Sequence, residues 1–257
     1  MTASRAAISP VTGAALYGKG VFTTLAIYGE KSFLWEKHWR RLCNDAKKVA
    51  VDLSGHSEET TRKALDEIVE TNSVTNARAR LTFFDESANK IWPGDTERKT
   101  RLLITTGEMR PVNGNFRLTS SPYIVNSHSP LAGVKSCNYF DKILSLDDAK
   151  RRGFDESIQI NERGELASAN MANIFWLQDE TLYTPSLKTG CLPGTTREFI
   201  LENLKCREVE ETIDKLHLAD AVFLTSSGLG VVQIGEFESR KLARIDHPIL
   251  DLLPKKL

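Results

Sequence analysis

Cysteine is scarce. There are four in 257 residues, Cys43, Cys137, Cys191 and Cys206, and no Cys-x-x-Cys pair. That usage excludes a disulfide-stapled scaffold and points to reduced thiols in a cytoplasmic protein. Histidine is also sparse, and His38, His56, His128, His217 and His247 show no metal-ligand spacing. Net charge is absent, since 34 Lys and Arg balance 34 Asp and Glu. Nothing electrostatic therefore argues for nucleic acid or an anionic membrane surface as a partner. No run approaches the roughly 18 apolar residues of a membrane span. The opening Met1-Thr-Ala-Ser-Arg-Ala-Ala-Ile-Ser-Pro10 lacks the apolar stretch of a signal peptide. There is no Gly-x-Ser-x-Gly elbow, no Walker phosphate loop and no internal repeat. Tyr17-Gly-Lys-Gly-Val-Phe22 is glycine-rich but lacks the dinucleotide fingerprint.

What the chain has is enough apolar residue for a core: 40% is hydrophobic, which suits one large domain or two smaller ones. Residues 21–28 read as a strand. Trp35, Trp39, Leu42, Ala46 and Val49 recur at spacings of four and three, so they share a helical face. A second helix begins near Ser57, with Glu58 and Glu59 at its positive end, and turns Leu65, Ile68 and Val69 inward. Strand-like runs follow at 77–84 and 101–106. Gly107-Glu-Met-Arg-Pro-Val-Asn-Gly114 has little to bury and marks a boundary. It divides a small N-terminal domain, 1–107, from a larger C-terminal one, 115–257, through a linker at 108–114. Beyond it, Tyr139, Ile143, Leu146 and Ala149 predict a helix ending in Lys150, Arg151 and Arg152 and capped by Gly153. Short strands are predicted at 157–160, 166–169, 174–177, 181–183 and 221–224. Strands and helices mix in both halves without a regular βαβ series, so the fold class is α+β in two domains.

Three segments carry candidate chemistry. In Leu192-Pro-Gly-Thr-Thr-Arg-Glu-Phe-Ile-Leu201, Thr195 and Glu198 have the spacing of a capping box, which predicts a helix start at Thr195. Such an end is an ordinary cap or an anion site. Phe223-Leu-Thr-Ser-Ser-Gly-Leu-Gly230 runs from an apolar strand into hydroxyls and glycines, a plain loop or a phosphate nest. Lys135 stands among small and apolar neighbours in Leu131-Ala-Gly-Val-Lys-Ser-Cys-Asn-Tyr139, either a surface lysine or a desolvated nucleophile.

In order along the chain, Tyr17-Gly-Lys-Gly-Val-Phe22, His38-Trp-Arg-Arg-Leu42, Gly133-Val-Lys-Ser136, Asn173-Ile-Phe-Trp176 and Leu192-Pro-Gly-Thr-Thr-Arg197 resemble the blocks of the class IV aminotransferases. These are the fold type IV pyridoxal-phosphate (PLP) enzymes, which include branched-chain and D-amino acid aminotransferases and aminodeoxychorismate lyases. The resemblance spans most of the chain, from about Leu16 to Arg240. It implies a two-domain α+β fold of the D-amino acid aminotransferase kind, with PLP held by Lys135 as a Schiff base. It further implies that Arg41, Thr195, Thr196 and Ser227 hold the phosphate, that Leu192 supports the ring, and that Tyr139 reaches the phenolic oxygen. A homodimer, an amino donor and a keto acid acceptor are the implied partners.

The departures are informative. The family glutamate that pairs with the pyridine nitrogen is replaced by Ser168; Glu165, three residues earlier, would point to the other face of a strand. A hydroxyl in place of that charge costs roughly 1.5–3 kcal/mol in the hydrogen bond, an altered electron sink. The usual Gly-Asp-Gly is Gly18-Lys-Gly20. For the reaction, an aminotransferase is the first expectation. A 4-amino-4-deoxychorismate lyase, releasing pyruvate and 4-aminobenzoate, is the second, because Phe22-Thr-Thr24 and Leu131-Ala-Gly-Val-Lys135 resemble lyase segments. The strand 78–85 lacks the lyases' arginine pattern; Arg78, Arg80 and Lys19 could take its place, but each is read first as an ordinary surface charge. A PLP-fold protein that binds ligand with weakened catalysis is the third.

Overall fold

The structure is a computed structural model and describes residues 7–88, 98–112 and 114–254. The first six residues of the opening segment, and Asn113 of the expected linker, lie outside the described residues. The chain forms two compact units: Met1–Thr75 with Ala79–Gly107 and Val134–Asn138, and Asn76–Arg78 with Glu108–Gly133 and Tyr139–Leu257.

In the first unit a short helix α1 (Gly13–Tyr17) precedes strand β1 (Gly20–Tyr28), strand β2 (Lys31–Ser32), helices α2 (Trp35–Lys48) and α3 (Glu58–Thr71), and strands β3 (Asn76–Asp85) and β4 (Thr100–Gly107). The sheet order is β2-β1-β3-β4. β1 is buried almost continuously, as a strand covered on both faces must be, while β4 alternates half-buried and exposed residues along the sheet edge. α3 starts where the sequence places it: the Ser57 hydroxyl accepts from Thr60 N. Trp35, Leu65 and Val69 close on Leu25, Ile27, Ala79 and Leu81 to make the core. The inner face of α2 is not purely apolar, because His38, Arg41 and Asp45 are buried beside Trp35, Leu42 and Ala46.

Val134–Asn138 belongs to this unit through main-chain pairing. Ser136 bridges antiparallel to Val21, Phe22 N donates to Lys135 O at 2.9 Å, and Cys137 N donates to Gly20 O at 2.8 Å. Among the described residues β2 pairs with Ile27 and Tyr28, at the far end of β1, and this segment pairs with its start. A Cβ at Gly20 would come within 2.8 Å of Phe83 O and 2.9 Å of Cys137 Sγ. Glycine is what lets the segment approach.

The second unit contains β5 (Phe116–Ser120), α4 (Phe140–Arg151), β6 (Glu156–Ile160), β7 (Leu166–Ala169), β8 (Asn173–Gln178), β9 (Thr181–Pro185), α5 (Thr195–Asn203), β10 (Cys206–Val209), α6 (Asp214–Leu218), β11 (Ala221–Ser226), β12 (Gly230–Phe237) and β13 (Arg240–Lys241). One sheet runs β10-β9-β8-β11-β12-β5-β6-β7, with β13 on β12. Its central strands are buried on both faces. Ile174, Trp176, Val222 and Leu224 enter one core, and Phe175, Ala221 and Phe223 enter another with Ile200 and Ile249, as the period of two requires.

The segment Phe223–Gly230 is a strand running into a turn, as expected, and makes one side and the turn of the β11–β12 hairpin, with Ser226 opposite Gly230. The helix expected from Tyr139, Ile143, Leu146 and Ala149 forms as α4. Its buried residues are Ser145 and Ala149, and Ile143 and Leu144 are each 40% exposed. The reason is the polar strip it lies on: Ser145 Oγ meets Ser121 Oγ at 2.6 Å and Ser157 Oγ at 3.0 Å. The segment around Arg110 also has something to bury, for Arg110 Nη1 pairs at 3.1 Å with Glu156, which is fully buried.

Phe223 is fully buried in the middle of the sheet. Phe223→Ala is expected to cost about 3–5 kcal/mol of stability, measured by urea unfolding of the purified protein.

Candidate active site

Lys135 is held at two points of its own main chain and at a third through Cys137, all within the first unit. Besides the two bonds flanking it on β1, its N–H donates to Asp45 Oδ2 at 3.1 Å. Its side chain runs along Phe22, with Nζ 4.5 Å from the ring centroid. The guanidinium of Arg80 lies over the same ring at 3.6 Å. Two cations thus share one aromatic ring, a favourable electrostatic arrangement for each.

Arg41 sits behind this pair, mostly buried, and donates from Nη2 to Thr23 Oγ1 at 2.9 Å. An arginine only donates, so the Thr23 oxygen accepts from it, and the same hydroxyl is hydrogen-bonded to His38 Nδ1, 2.6 Å away. Burial, with the Arg41 and Lys135 charges beside it, holds His38 well below the usual histidine range. Burial acts oppositely on Asp45 and raises its carboxyl, although Lys135 N–H, Arg41, Lys48 and the Lys135 charge pull it down.

The second unit brings together the other residues singled out in the sequence. α5 begins at Thr195, but its N-cap is Gly194 and no side chain caps it. The capping-box expectation is therefore corrected: Thr195 is the first helical residue. The cause is local. Asn173 Nδ2 donates to Leu192 O at 2.8 Å, and a Cβ on Gly194 would collide with Asn173 Oδ1. A serine or threonine cap has no room there. Thr195 and Thr196 are buried in the first turn, and Thr195 Oγ1 lies 3.4 Å from Ser227 Oγ in the hairpin turn. Leu192 is half-buried in the loop before the helix, and Tyr139 is the N-cap of α4. Ser168 is mostly buried on β7, opposite Gln159 of β6. Glu165 is occupied by Arg163 at 2.7 Å.

These residues fit PLP. A helix N-terminus capped by glycine and edged by three hydroxyls suits a phosphate, and the clasped lysine beside an aromatic ring suits a carbonyl-bearing ring. Among the described residues, no group of three or more His, Cys, Asp and Glu side chains could hold a metal. No helix among them is long and apolar enough to cross a membrane.

Arg80 is exposed, as read from the sequence, and its place over the Phe22 ring adds to that reading; Thr23, His38 and Asp45 were not singled out from the sequence. Arg78 and Lys19 are engaged elsewhere: Arg78 Nε donates to Glu108 O at 2.7 Å, and Lys19 pairs with Asp85 at 2.7 Å. The signal for Asp45 was present in its spacing, four residues after Arg41 on the buried face of α2.

Residues 20–237 match the family described as Amino-transferase class IV, and the chain belongs to that family, whose cofactor is pyridoxal phosphate. It is 28% identical to an aminodeoxychorismate lyase of Bacillus subtilis (strain 168) over 91% of this chain and 82% of that protein. It is 26% identical to a probable branched-chain-amino-acid aminotransferase of Rickettsia felis over 98% of this chain and 89% of that one. Among solved structures, a branched-chain aminotransferase from Thermoproteus uzoniensis, bound to norvaline, superposes with a TM-score of 0.90 at 22% identity, covering 98% of this chain and 89% of that one. A putative 4-amino-4-deoxychorismate lyase from Legionella pneumophila gives 0.86 at 23%, covering 97% and 93%. The fold is that of the fold type IV enzymes.

A neutral His38 sets a pH dependence. Its folded pKa is lowered, so below the unfolded value near 6.5 the unfolded chain binds a proton that the folded chain refuses. The stability associated with the neutral ring is fully present above about pH 6.5 and falls below it by up to about 1.4 kcal/mol per pH unit. Urea unfolding between pH 7 and pH 5 is expected to show this slope, and His38→Asn to reduce it.

Proposed function

We propose that this chain is a PLP-dependent aminotransferase acting on a donor with one carboxylate beside its amine. Lys135 is its Schiff-base and proton-transfer residue. The observation that carries the reading is the shared ring of Phe22, which has the Lys135 amine at 4.5 Å and the Arg80 guanidinium at 3.6 Å from its centroid. Arg80 offers a planar fork for a substrate carboxylate. Lys135 Nζ takes the proton from the neighbouring carbon and returns it at the other end of the transfer. The cofactor, when bound, supplies an electron-withdrawing ring that stabilises charge at that carbon. Thr195, Thr196 and Ser227 hold its phosphate together with Arg41, which Thr23 and His38 keep in place. Leu192 supports the ring, Tyr139 serves its phenolic oxygen, and Ser168 meets its nitrogen. A keto acid accepts the nitrogen in the second half of the reaction.

With Arg78 and Lys19 engaged elsewhere, one arginine on β3 stands by the lysine. That favours a substrate with a single carboxylate near the reacting carbon over the two carboxylates of aminodeoxychorismate. The lyase is the second reading, supported by the Bacillus relative and by Phe22-Thr-Thr24. Borohydride reduction of the PLP-loaded protein is expected to fix the cofactor on Lys135, and Lys135→Ala to abolish it. Amino acid donors are expected to yield aminated cofactor, with Arg80→Ala raising KM about 10- to 150-fold, the value of one charged hydrogen bond. Production of 4-aminobenzoate from aminodeoxychorismate without transamination would establish the lyase instead. A trapped cofactor inert to both would leave a binding protein.

We further infer a cytoplasmic homodimer. All four cysteines are free, as in a reducing compartment. Phe140 is 71% exposed, with Ile143 and Leu144 beside it on α4, and Tyr123 and Ile124 are 43% and 60% exposed. The hydrogen bonds of Ser121 tie the 121–123 turn to the same helix. A second copy is the occupant that buries this apolar surface. Light scattering is expected to give twice the chain mass for the wild type and a large monomer fraction for Phe140→Asp.

A further inference from the structure

The buried residues of α2 are Trp35, His38, Arg41, Leu42, Asp45 and Ala46, and Asp45 alone among them is an acid. It is 2% exposed. A buried carboxylate is costly unless hydrogen bonds and opposite charges compensate it. Asp45 has both. Its Oδ2 accepts the main-chain N–H of Lys135 at 3.1 Å. Burial raises its carboxyl, and that N–H, with the charges of Arg41, Lys48 and Lys135, opposes the rise. So opposed, the group keeps its negative charge at neutral pH.

Holding one N–H does not need a charge. A hydroxyl or an amide oxygen accepts as well, at a smaller desolvation cost. What the carboxylate adds is its sign. The other groups around the lysine are cationic or neutral. Arg80 lies over the Phe22 ring that the Lys135 amine also faces. Arg41 stands on Thr23, and Lys48 ends α2 as a further cation. Burial, with the Arg41 and Lys135 charges, keeps His38 neutral, and burial raises the Cys137 thiol, which stays uncharged. β1 has no charged side chain from Gly20 to Tyr28. Asp85, at the end of β3, is paired with Lys19 at 2.7 Å. Of these groups, Asp45 is the anion that acts on Lys135.

We propose that Asp45 is a positioning residue for the Schiff-base lysine and also its counter-charge: it fixes the main chain of Lys135 through the N–H and favours the protonated Schiff-base nitrogen through its carboxylate. This rests on the reading above that Lys135 holds PLP. A protonated nitrogen withdraws electrons from the carbon beside it, which the substrate amine must attack. The buried carboxylate thus prepares the lysine for its first exchange with substrate, whichever reaction follows.

The test is a pH titration of the visible absorption of the PLP-loaded protein, which reports protonation of the Schiff-base nitrogen. One charge about 7 Å away, the reach of a lysine side chain, moves such a midpoint by roughly 0.4–1.7 pH units for an effective dielectric constant between about 80 and 20. Asp45→Asn keeps an acceptor for the N–H and removes the charge. A negative charge favours the protonated form, so its loss is expected to lower the midpoint by that amount. Asp45→Glu keeps the charge and is expected to restore most of the fall. Asp45→Ser serves if the asparagine variant does not fold. A midpoint that is unchanged or raised in the uncharged variant overturns the proposal, as does an equal fall in Asp45→Glu. Borohydride reduction of the same samples separates the two levels. Cofactor fixed on Lys135 with an unmoved midpoint rejects the counter-charge alone, and no cofactor on Lys135 in the wild type rejects both readings.

Discussion

The pairing of Val134–Asn138 with the start of β1 is the constraint on which the lysine's role depends. A lysine side chain has four rotatable bonds and about 2 kcal/mol of rotamer entropy. Its usefulness as a nucleophile therefore rests on how firmly its main chain is fixed. Here Lys135 O, Lys135 N and the flanking Cys137 N are all bonded, to Phe22, Asp45 and Gly20. Gly20 has to be glycine for that approach, and the Phe22 ring, next along the same strand but one, is where the amine and Arg80 meet. The glycine-rich block and the lysine block, more than a hundred residues apart, are two sides of one clasp.

A comparable device works in the second unit. Asn173 holds the loop before α5 by its carbonyl and fills the space a Cβ at residue 194 would need. The helix consequently starts without a side-chain cap, and its first-turn threonines stand beside the Ser227 turn rather than closing on their own backbone. A cap hydroxyl would have competed with an anionic ligand for the same amides. Leaving it out suits the end of α5 to the proposed phosphate.

Much of this was legible in the sequence where one period or one block sufficed. The helices beginning at Trp35 and after Ser57 follow from apolar spacing and a capping serine. The family follows from five blocks in order, although each alone had an ordinary explanation. What escaped had physical reasons. Arg80 is exposed, as its strand suggested, and its stacking on the Phe22 ring of another strand has no local signature. The Thr23–His38–Arg41 relay joins β1 to α2 and has no sequence signature. For α4 the period predicted the helix but not its buried face, because periodicity reports which residues share a face, not which face is buried. Ile143 and Leu144 are exposed, while Ser145 and Ala149 are buried. The Thr195 cap failed because the deciding atom, Asn173 Oδ1, lies 22 positions away.

On the proposed reading, Ser168 stands where the family resemblance expects a carboxylate, so a hydroxyl would meet the cofactor's ring and the ring would withdraw electrons less strongly. The demand on the proposed proton-transfer residue would then be greater. Lys135 is suited to that demand, because its main chain is fixed by bonds to Phe22 and Asp45. In the same reading Arg80 and Phe22 would orient the substrate carboxylate relative to the amine. A weaker electron sink and a tightly clasped lysine are consistent partners: electrostatic pull at the ring would be given up and placement of the base kept. This division would apply to transamination and to the lyase reaction alike, because Lys135 would be the base in both.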